Sequence, residues 1–427
     1  MTEKIIQITL TVIALLIVFD ICQQSNDVWG LLRHLRRERA LNNASDGVRL
    51  PKSAVILALR GPDPQLQDTL QALIAQDYPD FHVHIVVDNE QDPVLKDVIA
   101  AQESCDNHLI SVSVLKNPSR SCSLKCSSLI QAVHELDSDI EVVAFIDGDA
   151  VPHKTWLREL VLPLAKGEAD VSGGNRWYLP PNAGLGSMAR YFWNAAYLTG
   201  MHAQGTPWAG TMAFYRKTIG QIGLLEAWSK AMSVDATLHR CMRGHGLRFK
   251  LVESLIMPNR EDISLSEFHR WVTRQMAVIR YSASATARMA EIQVGILLVM
   301  HTFLPVAAVA AFAVGAPGLG LASIGALAGY WLFCSLRMIL IERSMRASFL
   351  RRGEPAQWMT LQTLLMWYPS VPLVHYVIYT GVIQALRLRQ VDWRGIRYNL
   401  AANGVVSMVN YHPYGTKWIK TDNQSIV

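Results

Sequence analysis

The run Val142-Val143-Ala144-Phe145-Ile146-Asp147-Gly148-Asp149-Ala150 decides how this chain is read. An apolar stretch ends abruptly in two carboxylates one residue apart. This suits a buried strand of an open sheet, which would deliver Asp147 and Asp149 to the edge where ligands bind. Two hard oxygen ligands at that spacing can hold Mg²⁺ or Mn²⁺, and the ion can neutralise a diphosphate. A lone Asp-X-Asp is as readily a strand followed by an acidic turn, so its neighbours carry the decision.

Outward from that run, strand and helix patterns alternate from about residue 51 to 281, as in an α/β layer fold with a mostly parallel sheet. Residues 54–59 read as a short strand, broken by Arg60-Gly61-Pro62-Asp63-Pro64. An amphipathic helix over about 66–75 closes at Gln76-Asp77-Tyr78-Pro79, and a second strand over 82–87 ends in Asp88. Asp88 and the Asp147/Asp149 pair would then share one edge. Residues 123–136 read as a helix with Lys125 in its first turn, where free amides and positive charge suit a phosphate. Position alone fits an ordinary surface lysine equally well.

After a short helix over 156–164 come two Gly-aromatic elements, Ser172-Gly173-Gly174-Asn175-Arg176-Trp177-Tyr178 and Trp208-Ala209-Gly210-Thr211-Met212-Ala213-Phe214. Glycines there permit close backbone approach, and the aromatics offer flat faces to a sugar or base. Asp235 lies at a helix start, where it is either an N-terminal cap or a general base. Glu267-Phe268-His269-Arg270-Trp271 sits on a helix approaching a membrane segment. Arg270 there can grip phosphate oxygens bidentately and Trp271 can wall a pocket, or both can simply lie at headgroup level.

Half of the residues are apolar, and the excess lies towards the two ends. Residues 5–21 are about long enough for one span, with Arg33, Arg36, Arg37 and Arg39 behind them. That pattern reads as an anchor over 1–30 with the following domain in the cytoplasm. Stretches 292–314 and 319–341 read as a helical hairpin, its return end again rich in arginine. The last apolar stretch, 359–386, holds Pro369 and Pro372 and reads as a broken or re-entrant segment, which keeps the basic tail over 387–427 in the cytoplasm. The formal charge of +5 gathers beside these segments, favouring anionic headgroups and excluding nucleic acid as a partner. The six scattered cysteines read as reduced thiols.

The order Asp88, Asp147-Gly148-Asp149, Asp235, Arg270-Trp271 and then membrane helices resembles the membrane-bound family 2 glycosyltransferases, ceramide glucosyltransferase and bacterial lipid-glycosylating relatives among them. The opening around Arg60-Gly61-Pro62-Asp63-Pro64 and the tail Trp393-Arg394-Gly395-Ile396-Arg397-Tyr398 look like that group too, so the resemblance runs from about 51 to 398. It implies a GT-A-type fold over 50–281 with N-terminal and C-terminal transmembrane helices, the latter within a membrane region over 291–386. It further implies that Asp88 contacts the nucleotide, Lys125 approaches the diphosphate, and Asp147 and Asp149 hold the nucleotide sugar with a divalent cation. Asp235 becomes the general base, while Arg270 and Trp271 line the diphosphate and acceptor pocket. One position departs: Glu267 stands where the family has Gln or Arg, and an acid there would repel a diphosphate or bind another acceptor group.

The implied activity is inverting transfer of a hexose, glucose first among candidates, from a UDP-sugar to the hydroxyl of a membrane lipid. Ceramide-like lipids, diacylglycerol and hopanoid or other polyprenoid alcohols all suit. The alternatives are a processive polysaccharide synthase, which usually has more spans, and a non-catalytic membrane scaffold or transporter. The short tail and absence of sorting signals point to a bacterial inner membrane.

Overall fold

The computed structural model of the chain describes residues 2–41, 47–105, 109–281, 285–354, 360–401 and 405–415. Met359, which opens the last apolar stretch, and the basic tail from Thr416 onward lie outside them. Helix α1 (Thr2–Leu41) leads into β1 (Ser53–Leu59), α2 (Leu66–Ile74), β2 (Phe81–Val87), α3 (Val94–Glu103) and β3 (Ile110–Val114). Next come α4 (Leu124–Glu135), β4 (Val142–Ile146), α5 (Trp156–Ala165), β5 (Val171–Tyr178) and α6 (Leu185–Gln204). The α/β pattern closes with β6 (Thr211–Tyr215), α7 (Arg216–Gln221), α8 (Leu224–Trp228), α9 (Val234–Gly244), β7 (Phe249–Asn259) and α10 (Leu265–Tyr281). Long helices α11 (Ala285–Ala313), α12 (Pro317–Arg351) and α13 (Leu361–Arg387) precede the short strands β8 (Gln390–Trp393), β9 (Ile396–Leu400) and β10 (Val406–Asn410).

A seven-stranded sheet in the order β3-β2-β1-β4-β6-β5-β7 forms the centre. Strands β1 to β4 are parallel, and β6 runs antiparallel between β4 and β5. Helices cover both faces, which is why β4 is apolar at every position rather than alternating. One core layer centres on Phe145, Phe214 and Trp228, the opposite one on Leu57, Ile85 and Trp156. Register pairs Leu59 with Val87 and Leu57 with Ile146, so Asp88 and Asp147 leave the same carboxyl edge on either side of β1. Strand order reverses there, which makes it the ligand crevice of an open α/β sheet.

The glycines of the first Gly-aromatic element serve the sheet. The β5–β7 register slips between Gly173 and Asn175, and a Cβ on Gly174 would collide with the Leu255 carbonyl. Trp177 is fully buried, so it offers no free face to a sugar.

Among the described residues, three helices are long and apolar enough to cross a membrane: Lys4–Arg39, Ile292–Ala313 and Pro317–Arg351. Their outer faces leave side chains such as Leu15 (66%) and Val309 (71%) exposed, an arrangement suited to lipid rather than water. Helices α11 and α12 form the expected hairpin. The arginines at its return end do more than flank a span. Arg39 of α1 pairs with the buried Glu253 of β7 at 2.8 Å, and Arg352 donates to the Ile256 carbonyl at 3.0 Å. Both helices are thereby bolted to the sheet.

The expected broken or re-entrant segment is instead one continuous helix over its described residues. Pro369 and Pro372 each remove one backbone donor, but packing holds the helix through both positions. Trp367 near its start packs on Phe192 of α6, and Arg280 of α10 donates to the Leu386 carbonyl at its end, 2.8 Å away. Helix α13 thus lies along the catalytic domain with both ends tied to it. Nor is the following segment a loose tail: β8–β9–β10 form an antiparallel sheet whose Val391, Tyr398 and Val406 join the core beneath α4.

Candidate active site

At the end of β4 the chain turns, with the Ala150 amide donating to the Asp147 carbonyl at 3.1 Å. The N-cap of α4 is Ser123, whose hydroxyl accepts from the Cys126 amide, and this places Lys125 in the first turn facing Asp147. Its ammonium forms an ion pair with the Asp147 carboxylate. On the other side Arg176, carried by β5, reaches Asp147 at 3.4 Å and Asp149 at 3.1 Å. Burial acts to raise the Asp147 pKa, but Lys125 and Arg176 outweigh it and hold the carboxyl below the ordinary range. Burial opposes charge on Arg176 too, yet Asp149, Tyr178 and Asp147 raise its pKa further, so it stays cationic. Its guanidinium lies over the Trp208 ring at 4.5 Å. Arg176 was absent from the residues singled out by sequence. Its only signal was an arginine in an otherwise apolar strand end.

Asp88 is 1% exposed, and the chain itself surrounds it. Arg60 pairs with its carboxylate, the Tyr411 hydroxyl donates to Oδ1 at 2.8 Å, and the Tyr414 amide donates to Oδ2 at 2.9 Å. Arg394, singled out in the sequence only as part of the tail motif, stands at the β8–β9 turn with a left-handed φ of 48°, beside Gly395 at 77°. It donates to the Arg60 carbonyl at 2.7 Å and pairs with Asp63 at 3.2 Å. The C-terminal sheet therefore closes over the carboxyl edge of the main sheet at Asp88.

Asp235 is not the helix cap. Ser233 holds the cap position, accepting from the Ala236 amide at 3.2 Å, while Asp235, in the first turn of α9, accepts from the same amide at 2.8 Å and from the Ser233 hydroxyl. It lines a cavity of about 260 Å³ whose other walls include Asp20 of α1, Leu297 of α11, Arg337 of α12 and His375 of α13. Arg270 and Trp271 line a different hollow, with Glu261, Glu267, Arg274 and Asp392. Trp271 connects the two regions: its ring meets Tyr178 edge-on at 6.3 Å and Trp193 at 4.7 Å, and Trp193 stacks on Tyr197 in the Asp235 cavity. Burial, then Asp235, raises the Tyr197 pKa while Arg176 opposes, so both groups act on that ring.

Glu267 borders the same hollow as Arg270, with its carboxylate engaged by the start of its own helix. It accepts from the Ser264 hydroxyl at 2.6 Å and amide at 2.9 Å, while Ser264 Oγ accepts from the Glu267 amide at 3.3 Å. This reciprocal pair is a capping box at the start of α10. The Ser264 hydrogen bonds hold the Glu267 carboxyl below its ordinary range.

Among the described residues no group of three His, Cys, Asp or Glu side chains comes together. Asp147 and Asp149 still fit a Mg²⁺- or Mn²⁺-type ion, which commonly takes one or two carboxylates and completes its shell with substrate phosphates and water.

Residues 51–277 match the sequence profile described as glycosyltransferase like family 2, and residues 182–406 match that of glycosyl transferase family 21. The glycosyltransferase AglE of Haloferax volcanii is 29% identical over 136 residues, 32% of this chain. The matched stretch spans 42% of that relative's length. Among solved structures, the mannosyltransferase PcManGT from Pyrobaculum calidifontis, in complex with GDP-Man and Mn²⁺, aligns with 88% of this chain and 98% of its own at 13% identity and a TM-score of 0.45. Glucosyl-3-phosphoglycerate synthase from Mycobacterium tuberculosis aligns over 59% of this chain and 83% of its own at 16% identity and a TM-score of 0.38. With its mixed, mostly parallel sheet and its carboxylate pair at the ligand edge, the chain belongs to the family 2-like glycosyltransferases, enzymes that use nucleotide sugars on a GT-A-type fold.

Proposed function

We propose that the enzyme transfers a hexose, glucose first among candidates, from a UDP-sugar to the hydroxyl of a membrane lipid, with inversion. The observation that carries this reading is the place of Asp235. Its cavity is walled by the very helices long enough to cross a membrane, so a lipid headgroup entering between them meets a carboxylate. Asp235 takes the proton from the acceptor hydroxyl as its oxygen bonds to C1 of the sugar. The C1–oxygen bond to the diphosphate breaks on the opposite face, and the electron pair leaves with the diphosphate. Lys125 and Arg176 stabilise the charge developing there, and Arg270 assists from the neighbouring hollow. Asp147 and Asp149 would hold a divalent cation, which when bound neutralises diphosphate charge. Asp88, fixed by Arg60 and Tyr411, borders the nucleoside. The catalytic domain lies on the cytoplasmic side, where the arginine-rich helix ends belong.

The test is transfer from a panel of labelled UDP-sugars into membranes containing the enzyme, separating lipid extract from insoluble polymer. Label in a discrete lipid, lost in Asp235→Asn while UDP-sugar binding persists, is the expected result. Label only in polymer, or full activity of Asp235→Asn, overturns the proposal.

A further inference from the structure

Asp88, at the carboxyl end of β2, is already saturated by its own chain. An ionised carboxylate has about four acceptor sites, and four donors converge on this one. The Tyr411 hydroxyl reaches Oδ1 at 2.8 Å. Arg60, the Tyr414 amide at 2.9 Å and the Asn89 side-chain amide at 3.2 Å reach Oδ2. With 1% of its surface exposed, Asp88 has no acceptor left for a nucleoside. What these bonds hold is the segment from Tyr411 to Gly415, beyond β10. Arg60 also donates to the His412 carbonyl at 2.9 Å and to the Arg394 carbonyl at 3.0 Å, and Asn89 donates to the Tyr414 carbonyl at 3.1 Å. Tyr414 is thereby pinned through both its amide and its carbonyl. Its ring lies against Gly61, where any Cβ would collide with it, and the Arg60 guanidinium stands 5.6 Å from the ring centre. None of the hydrogen bonds that Tyr414 makes among the described residues involves its hydroxyl. A half-buried ring fixed in this way at the crevice of an open α/β sheet offers a flat face rather than a polar group.

We infer that the base of the sugar nucleotide stacks on the Tyr414 ring. Asp88 and Arg60 act through that ring as positioning residues. The inference rests on the donor site proposed above and adds to it a wall supplied by the C-terminal chain. Stacking on an aromatic face tolerates any base, so Tyr414 contributes affinity for the nucleoside and leaves the choice of base to other groups. It touches neither the sugar nor the diphosphate in this reading, so its effect belongs to donor binding and not to the transfer step.

The test measures UDP affinity by calorimetry on the full chain in phosphatidylcholine nanodiscs, with GDP in its place if the wild type binds only that. Tyr414→Ala and Tyr414→Leu should each weaken binding by about 5- to 150-fold, the range found for loss of one base–aromatic stack. Tyr414→Phe should match the wild type, because the ring is kept and the hydroxyl is unused. In transfer assays the loss should appear in the KM for the donor, with kcat retained. Thermal unfolding at the wild-type temperature shows that each variant is folded. Leucine serving as well as phenylalanine would mean that bulk alone is needed, and overturns the inference. So does unchanged or tighter binding by Tyr414→Ala, the latter because the ring would then occupy the place of the base. In each of these cases the donor site proposed above stands. A wild type that binds neither UDP nor GDP overturns both.

Discussion

The Tyr411 hydroxyl donates to Asp88 across 2.8 Å, joining the last described strand region to the first aspartate of the site. The carboxyl edge of the main sheet at Asp88 is therefore completed by chain that follows every candidate membrane helix among the described residues. Tyr411→Phe removes one charge-assisted hydrogen bond to a buried carboxylate, a change worth roughly 1.5–3 kcal/mol. A tenfold or greater weakening of UDP binding by calorimetry, with the fold intact, is expected. Unaltered affinity would show that Asp88 does not border the nucleotide.

Arg176 is the cation shared by Asp147 and Asp149, and no lysine can span both in the same way. Arg176→Lys should lower kcat by about 10²-fold, the scale of removing one preorganised charge from a developing anion. Asp149→Asn should in addition abolish the response to Mn²⁺ after chelation. Full activity in chelator for the wild type would remove the divalent ion from the reaction.

Glu267 serves the helix, so Glu267→Gln should retain transfer, because glutamine can also complete a capping box. Ser264→Ala should lower stability by about 1 kcal/mol through loss of the cap. The readout is thermal unfolding beside initial rates. A large loss of kcat in Glu267→Gln at unchanged stability would return this position to the active site.

His202 of α6 packs its ring 4.8 Å from that of His34 of α1, and burial, with His34 adding to it, lowers its pKa to about 4. The folded protein thus binds this proton less readily than the unfolded chain, whose histidine titrates near 6.5. The stabilisation is complete above about pH 6.5 and is lost progressively as pH falls towards 4. Tm should decline across that window, and His202→Phe should flatten the decline. An equal decline in the variant would assign the acid sensitivity elsewhere.

Much of the sheet's carboxyl edge was legible because it depends on short-range signals. An apolar run ending in Asp147, a strand ending in Asp88 and a helix starting near Lys125 are local patterns, and the sheet simply aligned them. Arg176 was not legible, because β5 lies two strands from β4 and only strand order brings its side chain over the acidic pair. The same holds for Arg394, placed by a tight turn docked more than three hundred residues from Arg60. At Glu267 the signal was present in Ser264-Leu265-Ser266-Glu267, but the expectation of a phosphate-binding box obscured the cap. Pro369 and Pro372 misled for a different reason: helix propensity yields to packing, and α6 and α10 hold α13 straight.

The attachment of Arg39 and Arg352 to β7 has a kinetic consequence. Were the three long apolar helices embedded in a bilayer, the enzyme could not lift away to sample lipids from solution. The proposed lipid acceptor would then arrive by lateral diffusion within one leaflet. Turnover should therefore follow the mole fraction of acceptor in that leaflet and fall when inert lipid is added at constant total acceptor, as in any two-dimensional encounter.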